Sequence, residues 1–130
     1  MNTGYELLIE CAKGAVQTAY APYSLLMVGA AVLGASSEIY TGANIENVSY
    51  GLTICAERAA IFRAVQSGER RLLALAIEAK KANSEEYLSI VPCGACLQVL
   101  AEFIERDAPI FISGSLAGKF SDFFPRPFIF

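Results

Sequence analysis

Between Leu72 and Ala79 the chain reads Leu-Leu-Ala-Leu-Ala-Ile-Glu-Ala, an almost unbroken apolar run of strand length. A strand without polar alternation has no face to give to water, so this run suits the centre of a sheet covered on both sides. The rest of the chain has to supply the covering layers. Tyr5 to Tyr20 carries Leu7, Leu8, Cys11, Ala15 and Val16 at helical spacing, and Pro22 stops it in the loop Ala21-Pro22-Tyr23-Ser24. Leu25 to Leu33 and Glu38 to Asn44 read as two antiparallel strands joined around Ser36-Ser37, and Asn44 to Leu52 as a polar surface loop.

A second helix is predicted from Thr53, as its N-cap, to Ser67, with Gly68 at the stop. Lys80 to Leu88 is a charged connection. Pro92 then opens a third helix that places Leu97, Leu100, Phe103 and Ile104 on one face and ends before Pro109. Pro109 to Ser113 reads as a further strand, and the aromatic tail Phe120 to Phe130 as an irregular packed segment. The order helix, hairpin, helix, strand, helix, strand predicts an α/β sandwich whose later strands run parallel.

At 130 residues the chain fits one domain spanning residues 1–130. It is 55% hydrophobic and 18% charged, an apolar surplus for one small core, which favours burial between copies of the chain. A net charge of −3 with no stripe of Lys or Arg gives phosphates little to bind, so nucleic acid is not an expected partner. Met1 to Glu10 has no signal-peptide pattern, and the run Leu25 to Ala35 is too short and glycine-broken to span a bilayer. A soluble cytoplasmic protein without membrane partners is the expectation.

Four cysteines and no histidine narrow the chemistry. A cytosolic chain keeps thiols reduced, so metal binding or catalysis is their expected use. Without histidine, a metal must be held by Cys and carboxylates, and protons must be moved by Asp, Glu, Lys, Tyr or Cys. Pro92-Cys93-Gly94-Ala95-Cys96 puts two thiols on one side of a helix start, where free N–H groups and the helix dipole favour thiolates. Cys55 occupies a second helix start, with Glu57 two residues on and Arg58 beside it. Three protein ligands and one open position make a catalytic zinc site, with Glu57 as the proton carrier. Three other readings stay open on spacing alone: a structural four-cysteine zinc that recruits Cys11, a redox dithiol, and cysteines that are simply buried.

The sequence resembles the small zinc-dependent cytidine deaminases over nearly its whole length. The resemblance runs through Tyr20-Ala21-Pro22-Tyr23-Ser24, Val28-Gly29-Ala30-Ala31, Thr41-Gly42-Ala43-Asn44-Ile45-Glu46-Asn47 and Ser49-Tyr50-Gly51. Its most specific parts are Cys55-Ala56-Glu57-Arg58-Ala59-Ala60 and Pro92-Cys93-Gly94-Ala95-Cys96; three-cysteine sites with a non-ligand Glu occur in this superfamily. It implies a three-layer α-β-α sandwich with a mixed central sheet, assembled as a homotetramer with shared sites.

It also implies that Cys55, Cys93 and Cys96 bind zinc. Glu57 would protonate the pyrimidine N3 as metal-activated water adds at C4, then protonate the departing amino group. Asn44 and Glu46 would hold the ribose 3′-hydroxyl, and Leu26 and Ala56 would line the substrate pocket. Arg58 would stand beside a zinc thiolate. Tyr50 and Phe128, the latter within Phe124-Pro125-Arg126-Pro127-Phe128, would be lent to a neighbouring subunit's site. Leu26 departs from the family's usual phenylalanine, Val91 from a small hydroxyl residue and Leu97 from an arginine. The implied activity is deamination of cytidine and 2′-deoxycytidine in pyrimidine salvage. Another aminopyrimidine nucleoside such as blasticidin S stays open as substrate, and a non-catalytic zinc-stabilised interaction protein as a different class.

Overall fold

The computed structural model describes residues 4–130. The elements follow in the order α1 (Glu6–Val16), β1 (Leu26–Gly34), β2 (Ile39–Ala43), α2 (Ala56–Gln66), β3 (Leu72–Lys81), β4 (Tyr87–Leu88), α3 (Gly94–Ala101), β5 (Pro109–Ile112), β6 (Ser115–Lys119) and α4 (Phe120–Phe123). The six strands form one sheet in the order β2-β1-β3-β5-β6, with β4 pairing the end of β3. β3 and β5 are parallel, as the crossover through α3 requires, and every other pairing is antiparallel. The sheet is therefore mixed, and the apolar run at Leu72 lies between β1 and β5, as its composition demands.

Period-two alternation divides the sheet between two cores. On one face, Leu8 and Ala12 of α1 pack on Ala31, Ala74, Ala76 and Phe111. On the other, Ala60, Ile61 and Ala64 of α2 with Leu97 and Leu100 of α3 pack on Val28, Ala30, Val32, Leu75, Ile77, Ile110 and Ile112. The result is the α-β-α layering expected from the sequence. Among the described residues, no helix is long and apolar enough to cross a membrane.

Several element boundaries differ from the sequence reading, each for a local reason. α2 begins at Ala56 with Cys55, not Thr53, as its N-cap residue, because Tyr50–Leu52 first forms a 3-10 turn and Ile54 bridges Ile45. α3 begins at Gly94, with Cys93 rather than Pro92 at its boundary, and ends at Ala101, with Phe103 beyond it. Lys80 to Leu88 is only partly a connection. Lys80 and Lys81 extend β3 along β1, and Tyr87 and Leu88 pair with Lys80 and Ala79. β6 is an unforeseen edge strand, and the tail that follows opens with the short α4, whose Asp122 accepts from the Lys119 N–H at 2.9 Å.

Two strand glycines set the distance of the helical layers. A Cβ on Gly29 would overlap the Ala12 carbonyl of α1, and one on Gly42 would overlap the Ala60 backbone nitrogen of α2. Both obstacles are backbone, which cannot rotate away as a side chain can. Gly42→Ala is therefore expected to push α2 off the sheet and destabilise the fold by about 3 kcal/mol, the upper part of the overpacking range. Chemical denaturation checks this; an unchanged midpoint would show that α2 is not held at this distance.

One buried carboxyl lies away from the apolar packing. Glu78 on β3 is 1% exposed and its Oε2 has no hydrogen-bond partner among the described residues. Burial raises its carboxyl above the ordinary range, against smaller opposing effects from the Gly114 backbone and Lys13.

Candidate active site

The layering brings the starts of α2 and α3 side by side at one end of the sheet, and each start presents cysteine. Cys55 and Cys93 hold equivalent positions, the extended residue just ahead of its helix, with φ/ψ of −73°/155° and −75°/168°. Cys96 follows one turn into α3 and is fully buried. The three Sγ atoms lie within 4.8 Å of one another. Cys55 and Cys93 are 3.9 Å apart and Cys93 and Cys96 3.5 Å. Tetrahedral zinc with Zn–S bonds near 2.3 Å requires sulfur–sulfur distances of about 3.8 Å, so this donor set fits the ion with small adjustment. Cys11 lies on α1 among the residues lining another groove, with Gly14, Thr18 and Arg63, and is not in the cluster.

One of the three thiols, Cys55, is biased toward ionisation, which ligation needs. A hydrogen bond from Cys96 holds the Cys55 thiol well below the usual thiol range, and the Arg58 guanidinium, 3.5 Å from its Sγ, adds to the effect. The same shared hydrogen bond and burial push Cys96 the other way, so Cys55 is the first to carry charge. Arg58 is held all the more firmly as a cation by Cys55. It thus offsets part of the negative charge that three thiolates would concentrate.

Glu57 stands next to this cluster and 5% exposed. Burial raises its carboxyl to about 7, with a smaller upward effect from the charge on Cys55. A carboxyl that can hold or release a proton near neutrality is what proton transfer to a heterocycle requires.

A cavity of about 220 Å³ opens onto Cys55, Cys93 and Glu57. Its walls carry Leu26, Asn44, Glu46, Tyr50 and Ala56 from the candidate residues, and also Ser24, Val28, Thr53, Ile90 and Val91. Asn44 and Glu46 do share a side, and both brace the wall. The Asn44 amide accepts from Val28 N–H at 2.9 Å and donates to the Leu26 carbonyl at 2.8 Å, continuing the pairing of β1. Glu46 accepts from the Tyr23 and Ser24 N–H groups at 2.9 and 3.2 Å and from the Ser24 hydroxyl at 2.5 Å. The Ser24 hydroxyl is the main reason its carboxyl lies below the ordinary range. Each keeps hydrogen-bonding capacity, a second N–H on Asn44 and further lone pairs on Glu46, for a ligand hydroxyl.

The segment that carries Ser24 and Leu26 is held in an unusual backbone state. Leu25 has φ of 62°, in the left-handed region that a branched residue rarely adopts. Its N–H donates to Ala21 at 3.0 Å, and its carbonyl accepts from Ala82 at 2.8 Å, which fixes the bend. Strain of this kind is tolerated where surrounding bonds over-determine it, and here it aims Leu26 into the cavity.

Ser24 and Thr53 were not legible as site residues. Ser24 reads as part of a proline turn and Thr53 as a helix cap. Thr53 instead has a buried hydroxyl with no partner among the described residues. Phe128 lies elsewhere on the chain. It is 71% exposed and packs near Gln98, Ala101 and Glu102 of the α3 region, while Tyr50 lines the cavity of its own chain.

Comparison with known proteins gives a consistent result. Residues 3–111 match the family model described as the cytidine and deoxycytidylate deaminase zinc-binding region. A cytidine deaminase of Halalkalibacterium halodurans is 43% identical over 117 residues, covering 90% of this chain and 84% of its own. One from Sporosarcina psychrophila is 47% identical over 108 residues, covering 83% and 76%. The crystal structure of cytidine deaminase from Mycobacterium tuberculosis superposes with a TM-score of 0.85 at 37% identity, over 99% of this chain and all of that one, 100%.

Proposed function

The chain belongs to the zinc-binding cytidine and deoxycytidylate deaminase family, and from that premise we propose how its residues carry out the reaction. It is a zinc-dependent cytidine deaminase that converts cytidine and 2′-deoxycytidine with water to the uridines and ammonia. The observation that carries the residue assignment is the meeting of three thiols, two of them lining a cavity of about 220 Å³, with a buried, proton-holding Glu57 in the wall of that cavity.

Cys55, Cys93 and Cys96 hold the zinc, and Arg58 balances the charge on Cys55. When bound, zinc supplies the Lewis acidity that makes a water nucleophilic near neutral pH. Glu57 accepts the proton of the water that adds at C4 and delivers it to N3. Glu57 then takes the remaining proton of the hydroxyl added at C4 and passes it to the amino group, so that the C4 carbonyl forms, the C4–N bond breaks and ammonia leaves. Asn44 and Glu46 orient the ribose 3′-hydroxyl, while Leu26 and Ala56 contact the nucleoside from the cavity wall. A Glu that is not a ligand has no purpose in a purely structural zinc site, which argues against a non-catalytic role.

The chain acts as a homotetramer in the cytoplasm, serving pyrimidine salvage. Support for assembly comes from apolar side chains left exposed on the two loops that reach the cavity: Tyr20, Tyr23 and Leu25 on one, Val48, Tyr50 and Leu52 on the other. Such groups are normally covered. In the assembly Phe128 completes a neighbouring subunit's site, and Tyr50, which borders its own chain's cavity and is exposed, reaches a neighbour's as well. Phe128 lies outside its own chain's cavity and is exposed, in keeping with that role.

A second substrate is favoured by one observation. Leu26 lines the cavity where the family has a phenylalanine, which removes a ring edge and leaves room for a larger aminopyrimidine nucleoside such as blasticidin S. Turnover of cytidine, 2′-deoxycytidine, blasticidin S and free cytosine by the zinc-loaded protein separates the readings. Cytidine and 2′-deoxycytidine are expected to be consumed with the highest kcat/KM. Blasticidin S turnover without detectable cytidine turnover would replace the first reading by the second.

A further inference from the structure

α3 does more than carry two thiols. Gln98, two residues after Cys96, turns its side-chain amide to the C-terminal tail: Nε2 donates to the Phe128 carbonyl at 3.2 Å, and Oε1 accepts from the Phe128 N–H at 3.3 Å. One side chain thus satisfies both backbone groups of one residue, as a neighbouring strand would. Arg106 makes a second anchor just upstream, donating to the carbonyls of Phe124 and Pro125 at 3.2 Å each. The tail is fastened through its backbone, while the Phe128 ring stays 71% exposed, edge-on to Phe130 at 5.9 Å. An aromatic ring is the group that gains most from cover, so a backbone clamp that leaves it outward is a device for presentation.

We infer that Gln98 is a positioning residue for the deamination reaction: by clamping the Phe128 backbone to the ligand-bearing helix, it presents the Phe128 ring to the nucleoside base in a neighbouring subunit's cavity. This rests on the reading that Phe128 completes a neighbour's site. A ring laid on a pyrimidine face contacts substrate and transition state alike, so it lowers KM and leaves kcat nearly unchanged. Freed from the clamp, the tail would have to be ordered at each binding event, and the cost would again fall on KM.

The test is a double-mutant cycle in the zinc-loaded full chain, with cytidine as substrate. Phe128→Ala is expected to raise KM by about tenfold, in line with base–aromatic stacking. Gln98→Leu, close in length but unable to hydrogen-bond, is expected to raise it by roughly three- to fivefold, with kcat within about twofold and native mass unchanged. The double variant is expected to match Phe128→Ala alone, since the clamp acts only through the ring. Gln98→Glu keeps the acceptor for the Phe128 N–H and loses the donor, so it falls between wild type and Gln98→Leu and covers the case that leucine misfolds. An unchanged KM for Phe128→Ala would end the reading of Phe128 itself. A KM effect of Phe128→Ala with none from either Gln98 variant, or with fully additive effects, would overturn the clamp alone.

Discussion

Glu57→Gln is expected to leave a folded protein with a full complement of zinc and to lower kcat for cytidine by at least about a hundred- to ten-thousand-fold, the range of a proton-transfer group. Glutamine keeps the size and the hydrogen-bonding shape of the side chain and removes only the titratable proton. No other acid or base is placed to substitute, because the chain has no histidine and the remaining cavity carboxylate, Glu46, is occupied by the Ser24 loop. Burial, which raises Glu57 to about 7, is what allows one group both to take and to give a proton near neutrality. Metal analysis beside steady-state kinetics checks the result. A variant with zinc and wild-type kcat would remove Glu57 from the chemistry.

Cys96→Ala is expected to fail in the opposite way, losing the metal and with it the activity. Cys96 is fully buried, and among the described residues Cys55, Cys93 and Cys96 are the group of donors close enough together to share an ion. Two remaining thiolates leave the ion short of the three protein ligands that a catalytic site keeps. Because ligation joins the starts of α2 and α3, the variant should also melt at a lower temperature than the zinc-loaded wild type. Metal content per chain and thermal unfolding read this directly. Zinc retained at wild-type level in Cys96→Ala would exclude this cysteine as a ligand. The pair of variants thus separates activity lost with metal in place from activity lost with the metal.

Much of this was written in residue types that chemistry rarely uses otherwise. Three cysteines at two helix starts, a Glu beside one of them and no histidine narrow the options by residue type alone. The central strand was equally legible, since Leu72 to Ala79 offers no polar face. What stayed hidden depends on tertiary partners. β6, Ser115-Leu116-Ala117-Gly118-Lys119, has little strand propensity and exists because the turn at Ser113 and Gly114, with φ of 52° and 80°, folds it back on β5. β4 is two residues in a charged stretch, held only by its partner. Cys55 is a poor capping residue by propensity, yet it heads α2 where Thr53 was the better local candidate. The 3-10 turn before it and the bridge from Ile54 to Ile45 decide that boundary, and neither leaves a pattern in the sequence. Ser24 and Thr53 gained their places in the cavity wall in the same way, through contacts made far along the chain.

The central claim is that this cavity deaminates cytidine and needs its zinc to do so. The most direct measurement is the release of uridine and ammonia from cytidine as metal-free protein is titrated with zinc. The account predicts equal amounts of the two products, at a rate that rises in proportion to bound zinc and levels off at one ion per chain. Uridine formation by the metal-free protein, or no product at full zinc occupancy, would contradict it.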